Sequence, residues 1–278
     1  MISFAITFFG FLAATLIPIF VALYLVTNLK SVPIQYMAAA GLGLVFWFFY
    51  DTMGGASALE VNLGFGGGAA QIGVIVVFLA GIVALAIFDY IAVPSPKGSD
   101  GVQNFVVSSH SKAIFLIPVG LAVVMGFHGF GEGWDFGSAA SSVSATSVLD
   151  ALGGGYYALI SYLLHKFLEA VIIAGVYSAF VGRTQNAAKA KWHLPLLGII
   201  FGGQSIIGSS IGYFVGFDTT YFFAFGVTST FYAAIRLGEP LSMKFRVGEN
   251  APHYLGPKIF VALAIGFLLL YIAALFHS

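Results

Sequence analysis

Apolar residues along this chain form eight long, almost unbroken stretches. They show neither the one-sided rhythm of surface helices nor the strict alternation of half-buried strands. The stretches cover residues 3–28, 33–50, 69–93, 113–137, 151–181, 193–217, 219–237 and 256–276. Each runs roughly 18 to 30 residues, which at about 1.5 Å per residue is enough to cross a bilayer as a helix. Turn-forming residues separate them: Ser31 to Pro33, the run MGGASALEVNLGFGGG, VPSPKGSDG, a Ser/Ala/Gly stretch from Ser138, RTQNAAKAKWHLP, and Gly238-Glu239-Pro240 through Pro257. The first stretch has no basic leader and exceeds the apolar length of a signal peptide, so it reads as a retained first helix.

Charge gives the arrangement an orientation. Lys30, Lys97, Lys112, Arg183, Lys189, Lys191, Arg236, Lys244, Arg246 and Lys258 all fall on one side of an eight-span chain, while the opposite connections hold Asp51, Glu60, Asp150 and Asp218. The positive-inside rule then places both termini outside. A missed span would swap the side of every later loop, so the segregation supports an even count. The predicted fold is an all-α polytopic membrane protein, one transmembrane domain over residues 1–278, multi-pass in the cell membrane. The second and seventh spans share a Gly followed five residues later by an aromatic pair (Gly43 with Phe48 and Phe49, Gly226 with Phe231 and Tyr232). This is compatible with an inverted repeat of spans 1–3 and 6–8 around a central pair.

Composition agrees, since 59% of the 278 residues are hydrophobic and only 8% are charged, against about 25% charged in a soluble domain. Abundant Gly and Phe suit packed helices better than an outer-membrane barrel. Net charge is zero and no basic face occurs, which argues against a nucleic-acid partner. The absence of cysteine removes disulfides, thiolate metal sites and thiol catalysis.

The chemistry lies in the fourth and fifth spans, FHGFGEGWDFG and YLLHKFLEAVIIAG. Each carries a His and a Glu one helical turn apart, His128 with Glu132 and His165 with Glu169. An i, i+4 spacing stacks imidazole and carboxylate on one helix face, so two such helices can offer nitrogens and oxygens to a single cation. With six His and five Glu in the chain, about 0.1 His-x-x-x-Glu matches are expected by chance, against the two observed. Both pairs sit near mid-span, where an ionised side chain costs at least about 2.5–3.5 kcal/mol and therefore needs partners or a bound ion. Lys166 lies beside them. The competing readings are a salt-bridged packing network, with Lys166 answering Glu169, and a retinal-type Schiff base on Lys166, which leaves the two His–Glu pairs unexplained.

These segments resemble the ZIP (Zrt/Irt-like) zinc/iron permease family, whose fourth and fifth of eight helices carry HNxPEG-like and HxxPE-like motifs. The matching residues are HGFGEG at 128–133 and HKFLEA at 165–170, with weaker likeness in GGQSIIGSSIGYF and AFGVTSTFYAAI. The resemblance implies a 3+2+3 helix arrangement and a primary metal site at His128, Glu132, His165 and Glu169. It also implies inward transport by an elevator-like movement of helices 1, 4, 5 and 6 against 2, 3, 7 and 8. At the family's second-metal positions this chain has Gly129, Lys166 and Gln204: a ligand deleted, a cation introduced and a carboxylate neutralised. A single-metal centre is therefore expected. The family's prolines are replaced by Gly131 and Leu168.

The expected function is transmembrane transport of a divalent metal ion, Zn2+ or Fe2+, with no organic cofactor and no enzymatic activity. The partners are the ion and the bilayer, with a homodimer or a larger membrane complex left open. Asp135 and Asp51 are candidates for guiding ions inward from outside, and Asp89 near Lys97 reads as an inner-boundary pair. His110, His193, His253 and His277 form no cluster. The alternatives are a non-transporting accessory subunit that keeps a ZIP-like scaffold, and an intramembrane metalloenzyme, disfavoured because no HExxH motif occurs. Gly208, Gly212 and Gly216 form a small-residue stripe suited to close helix contact, static or sliding.

Overall fold

The computed structural model describes residues 2–29, 31–55, 68–92, 113–182, 187–217, 219–243 and 257–275. Lys30, Glu60, Lys97, His110, Lys112, Arg183, Asp218, Lys244, Arg246, His253 and His277 lie outside the described residues, as do the side chains of Asp51, Asp89, Lys189 and Lys191. Among the described residues the chain is helical throughout. The long helices are α1 (Phe4–Asn28), α2 (Ile34–Gly55), α3 (Gly68–Ala92), α4 (Ala113–Ser141), α5 (Gly155–Tyr177), α6 (Ala187–Gly212), α7 (Thr220–Met243) and α8 (Pro257–Leu275). A helix satisfies its own backbone polar groups, which is what a long apolar sequence in lipid requires.

Among the described residues, four helical segments are long and apolar enough to cross a membrane: Phe4–Asn28, Phe115–Ser141, Gly155–Tyr177 and Trp192–Gly212. The outer surface is apolar. Ile6, Phe9, Ile17 and Val21 on α1, Ile75, Leu79 and Val83 on α3, and Phe260, Val261 and Leu268 on α8 are exposed. Buried positions include His128, Lys166, Glu169, Ser205, Ser209 and Arg236. Apolar residues outside and charged residues within is the distribution of a protein whose solvent is lipid. The chain is a membrane-embedded helical protein.

Several boundaries differ from the hydropathy reading, each for a local reason. Between α4 and α5 a one-turn helix, Val148–Ala151, is closed by a capping box in which Ser147 Oγ accepts from the Asp150 N–H and Asp150 accepts from the Ser147 N–H. Gly153, Gly154 and Gly155 follow with φ of 105°, 101° and 88°, a left-handed run that side-chain-bearing residues resist and that turns the chain into α5. A π-helical turn, Ser178–Gly182, continues α5. α7 extends to Met243, so Arg236 lies within a helix, buried, with its guanidinium over the Tyr232 ring at 5.5 Å. Sequence ends this span at residue 237, one position past Arg236, because Gly238-Glu239-Pro240 reads as a break. The helix retains Arg236 by covering its stem and placing its head over an aromatic face.

Asp150 provides a pH test of the capping turn. Its exposed carboxylate accepts from Thr146 Oγ1 at 2.6 Å and from the Ser147 N–H at 2.8 Å, and the Thr146 and Ser147 hydrogen bonds hold its pKa down at about 2. The ionised form is the bonded one. The turn is therefore fully supported above the ordinary Asp value of about 3.9 and loses that support as pH falls through about 2. Amide exchange at Thr146 and Ser147 is expected to accelerate over that window, and an Asp150→Asn chain is expected to lack the transition.

The most extensive helix contacts are α4 on α6, α2 on α8 and α7, and α1 on α5. α4 also lies on α7, about as extensively as α1 lies on α6, and more than α3 does on α7. Glycine sets the tightest seams. A Cβ at Gly133 or Gly137 of α4 would overlap the carbonyl oxygens of Ser205 or Ser209, and one at Gly208 or Gly212 of α6 would overlap those of Phe130 or Trp134. The α2–α8 crossing has the same character, with Gly43 facing the Leu263 carbonyl and Gly266 facing that of Ala40. Backbone thus meets backbone at both seams. The third member of the sequence stripe, Gly216, lies past the end of α6 and a Cβ there would meet nothing within 4 Å.

Candidate metal centre

α4 and α5 are joined by the short capped connection and carry their His–Glu pairs at mid-helix. His165 and Glu169 lie about 15 and 21 Å along α5 from Gly155 at helical rise. The i, i+4 spacing aims both members of each pair to one side, and the two sides face each other.

The four side chains converge on one point. Glu132 Oε1 lies 3.1 Å from His128 Nε2 and 3.4 Å from His165 Nε2. Glu169 Oε1 lies 3.8 Å and 3.5 Å from the same two nitrogens. One ligand atom from each residue can be chosen so that all lie within 4.8 Å of one another. Nitrogen and oxygen alternate around this ring. A tetrahedral zinc centre with bonds of about 2.0–2.1 Å has ligand–ligand edges of about 3.4 Å, so the observed N···O edges match what one small dication would draw together.

Lys166 holds the other side of both carboxylates. Its Nζ donates to Glu169 Oε2 at 2.6 Å and pairs with Glu132 Oε2. The ammonium is fully buried, 5.8 Å from the centre of the Tyr162 ring and 5.6 Å from that of Phe201. Tyr162 is itself fixed by a 2.8 Å hydrogen bond between its hydroxyl and that of Thr15 on α1. Each glutamate therefore has one oxygen on the lysine and one facing the imidazoles.

Access is graded along the site. His128 and Glu169 are 1% and 0% exposed, whereas Glu132 and His165 are 17% and 20% exposed. The open pair lies toward the α4–α5 connection. Asp135, a further turn along α4, is exposed at that end and accepts from Thr219 Oγ1 at 2.9 and 3.0 Å. On the closed side, Phe48 of α2 and Phe223 of α7 stand edge-on to the His128 ring at 5.0 and 4.9 Å. Gly226 lets α7 approach it, since a Cβ there would come within 3.1 Å of His128 Nδ1. That nitrogen is buried without a hydrogen-bond partner, as is Glu169 Oε1.

No protein-family model matches the chain, and no curated protein matches it. What the centre can do therefore rests on its own geometry and on the motif residues.

The remaining candidate positions are distributed as follows. Gly129 faces the site from α4, where a Cβ would overlap Ser205 Oγ and stand 3.7 Å from Lys166 Nζ. Gln204 turns its amide to the carbonyls of Val123 at 3.1 Å and Ile200 at 2.9 Å. Its neighbour Ser205 packs against Gly129, fully buried with no hydrogen-bond partner for Oγ. Asp51 lies on α2. Ser205, Phe223 and Tyr162 were not singled out from sequence, and Phe48 only as part of the aromatic pair after Gly43. The only signal for Ser205 is its place on the small-residue face with Ser209, Gly208 and Gly212.

Proposed function

We propose that this chain moves a divalent metal ion across the membrane as a ZIP-like permease, with one ion bound between α4 and α5 by His128, Glu132, His165 and Glu169. The observation that carries this is the alternating ring of two imidazole nitrogens and two carboxylate oxygens, with N···O edges of 3.1–3.8 Å, in the membrane-embedded part of the protein. Two buried carboxylates against one lysine leave a net negative centre, which favours a cation. Mixed nitrogen and oxygen donors suit zinc-like or iron-like dications better than magnesium or calcium.

In this reading eight helices cross the cell membrane in a 3+2+3 order with both termini outside, and the ion enters past Asp135 at the open end. Helices α1, α4, α5 and α6 move against α2, α3, α7 and α8. The four most extensive contacts fall inside those two sets. Between the sets α4 meets α7, where Phe223 and Gly226, with Phe48 of α2, close over His128. Displacing one set against the other changes which side of the centre is covered.

The direct test is zinc uptake by proteoliposomes containing the purified chain, followed with an internal fluorescent indicator. Uptake above that of empty vesicles is expected, saturable in zinc, without any chemical product. A second reading, a non-transporting accessory subunit, draws on Lys166, whose ion pairs neutralise part of the centre with no ion bound. That reading calls for neither uptake nor a melting shift on adding zinc. If both are absent, the accessory role replaces the permease.

A further inference from the structure

Lys166 belongs to neither His–Glu pair, yet it touches both carboxylates on the oxygens that face away from the imidazoles. A carboxylate with both oxygens free can bind a large cation through two atoms, as calcium sites with six to eight oxygens commonly do. Here Glu132 and Glu169 each have Oε2 engaged, so each offers the ring only Oε1. The clamping ammonium is fully enclosed. Nζ lies between the Tyr162 and Phe201 rings. Beside the clamp the shell offers Ser205 Oγ, a neutral hydroxyl packed against Gly129. Phe48 and Phe223 occupy the His128 side, and among the described residues no fifth imidazole or carboxylate joins the group.

We propose that Lys166 is the specificity-determining residue of the centre: by holding one oxygen of each glutamate it fixes the donor set at two nitrogens and two oxygens. The ion admitted is then four-coordinate and zinc-type, and manganese, magnesium and calcium, which need about six or more mainly oxygen ligands, are rejected. The fixed positive charge also limits occupancy to one dication, since a second would face both the first ion and the ammonium. This inference rests on the reading that the centre binds a divalent ion, and it narrows that ion from zinc or iron to the zinc type.

The test uses the purified full-length chain in detergent, titrated with zinc, cobalt(II) and manganese(II), beside Lys166→Met. Wild-type protein is expected to bind one zinc per chain, to give the intense visible bands of tetrahedral cobalt, and to show no displacement of zinc by excess manganese. In Lys166→Met the manganese-to-zinc affinity ratio is expected to rise about ten- to a hundredfold, the range typical of altering a group that orients a metal ligand. Tetrahedral cobalt with zinc bound, but manganese rejected equally by Lys166→Met, overturns the role of Lys166 and leaves the ion site standing. Weak octahedral cobalt bands in wild-type protein overturn it as well, and need no variant to fold. Wild-type protein that binds none of the three ions removes the metal reading itself, and this inference with it.

Discussion

Glu169→Gln is expected to reduce zinc binding by at least about a hundredfold, close to 3 kcal/mol, and to bring uptake down to the level of empty vesicles. The substitution keeps the shape of the side chain and removes its charge. Glu169 Oε1 closes the ring against both imidazoles, while Oε2 carries half of the Lys166 clamp. The variant loses a ligand and leaves a fully buried ammonium with Glu132 as its remaining charged partner. Breaking one side of a buried ion pair typically costs about 3–5 kcal/mol of stability, so a lowered melting temperature is expected together with the binding loss. Glu169→Asp separates the two effects. It keeps the negative charge near Lys166 but shortens the reach to the imidazoles, so stability should recover further than zinc affinity. Isothermal titration and thermal melting on the same preparations give both quantities. Zinc affinity unchanged in Glu169→Gln would show that the ring is not the binding site.

Gly133→Val is expected to destabilise the protein by about 1–3 kcal/mol, the usual cost of forcing bulk into a filled contact, and to impair zinc binding without altering any ligand. A Cβ at this position would overlap the Ser205 carbonyl oxygen, lying 2.8 Å from its carbon and 3.0 Å from the Ser209 nitrogen. Backbone cannot rotate out of the way as a side chain can, so α4 and α6 must separate. Glu132 is the adjacent residue and moves with the displaced helix. Gly203→Ala on α6 is the matched control, because a Cβ there meets nothing within 4 Å, and it should melt and bind zinc as wild type does. A Gly133→Val chain indistinguishable from Gly203→Ala would mean that the seam yields without cost.

Much of the helical structure was legible because lipid leaves so few options. A chain whose backbone must bond to itself over some twenty apolar residues becomes a helix, and the hydropathy pattern states this directly. The His–Glu pairs were legible for a related reason: their i, i+4 spacing is internal to one helix and survives whatever the helix packs against. Helix rotation was much less visible. In helices apolar on every side, periodicity does not mark the inward face. Sequence therefore assigns the helix 6 position to Gln204, whereas Ser205, about 100° round the helix, is the residue packed against Gly129. The three residues separating Lys166 from Glu169 on one helix suggested their pairing, but the second arm to Glu132 depends on the depth at which α4 and α5 meet. Phe223 comes from a distant part of the chain and carries no local mark among the many phenylalanines, while the pattern after Gly43 marks Phe48 without placing it at the site. The reach of α7 past residue 237 to Met243 was hidden because Gly238-Glu239-Pro240 carries the marks of a break.

The seam between α4 and α6 has a mechanical consequence. Where Gly133, Gly137, Gly208 and Gly212 bring peptide planes together, there are no long side chains to slip between rotamers and absorb a push. A shift of α6 must therefore be met by the backbone of α4, on which His128 and Glu132 ride.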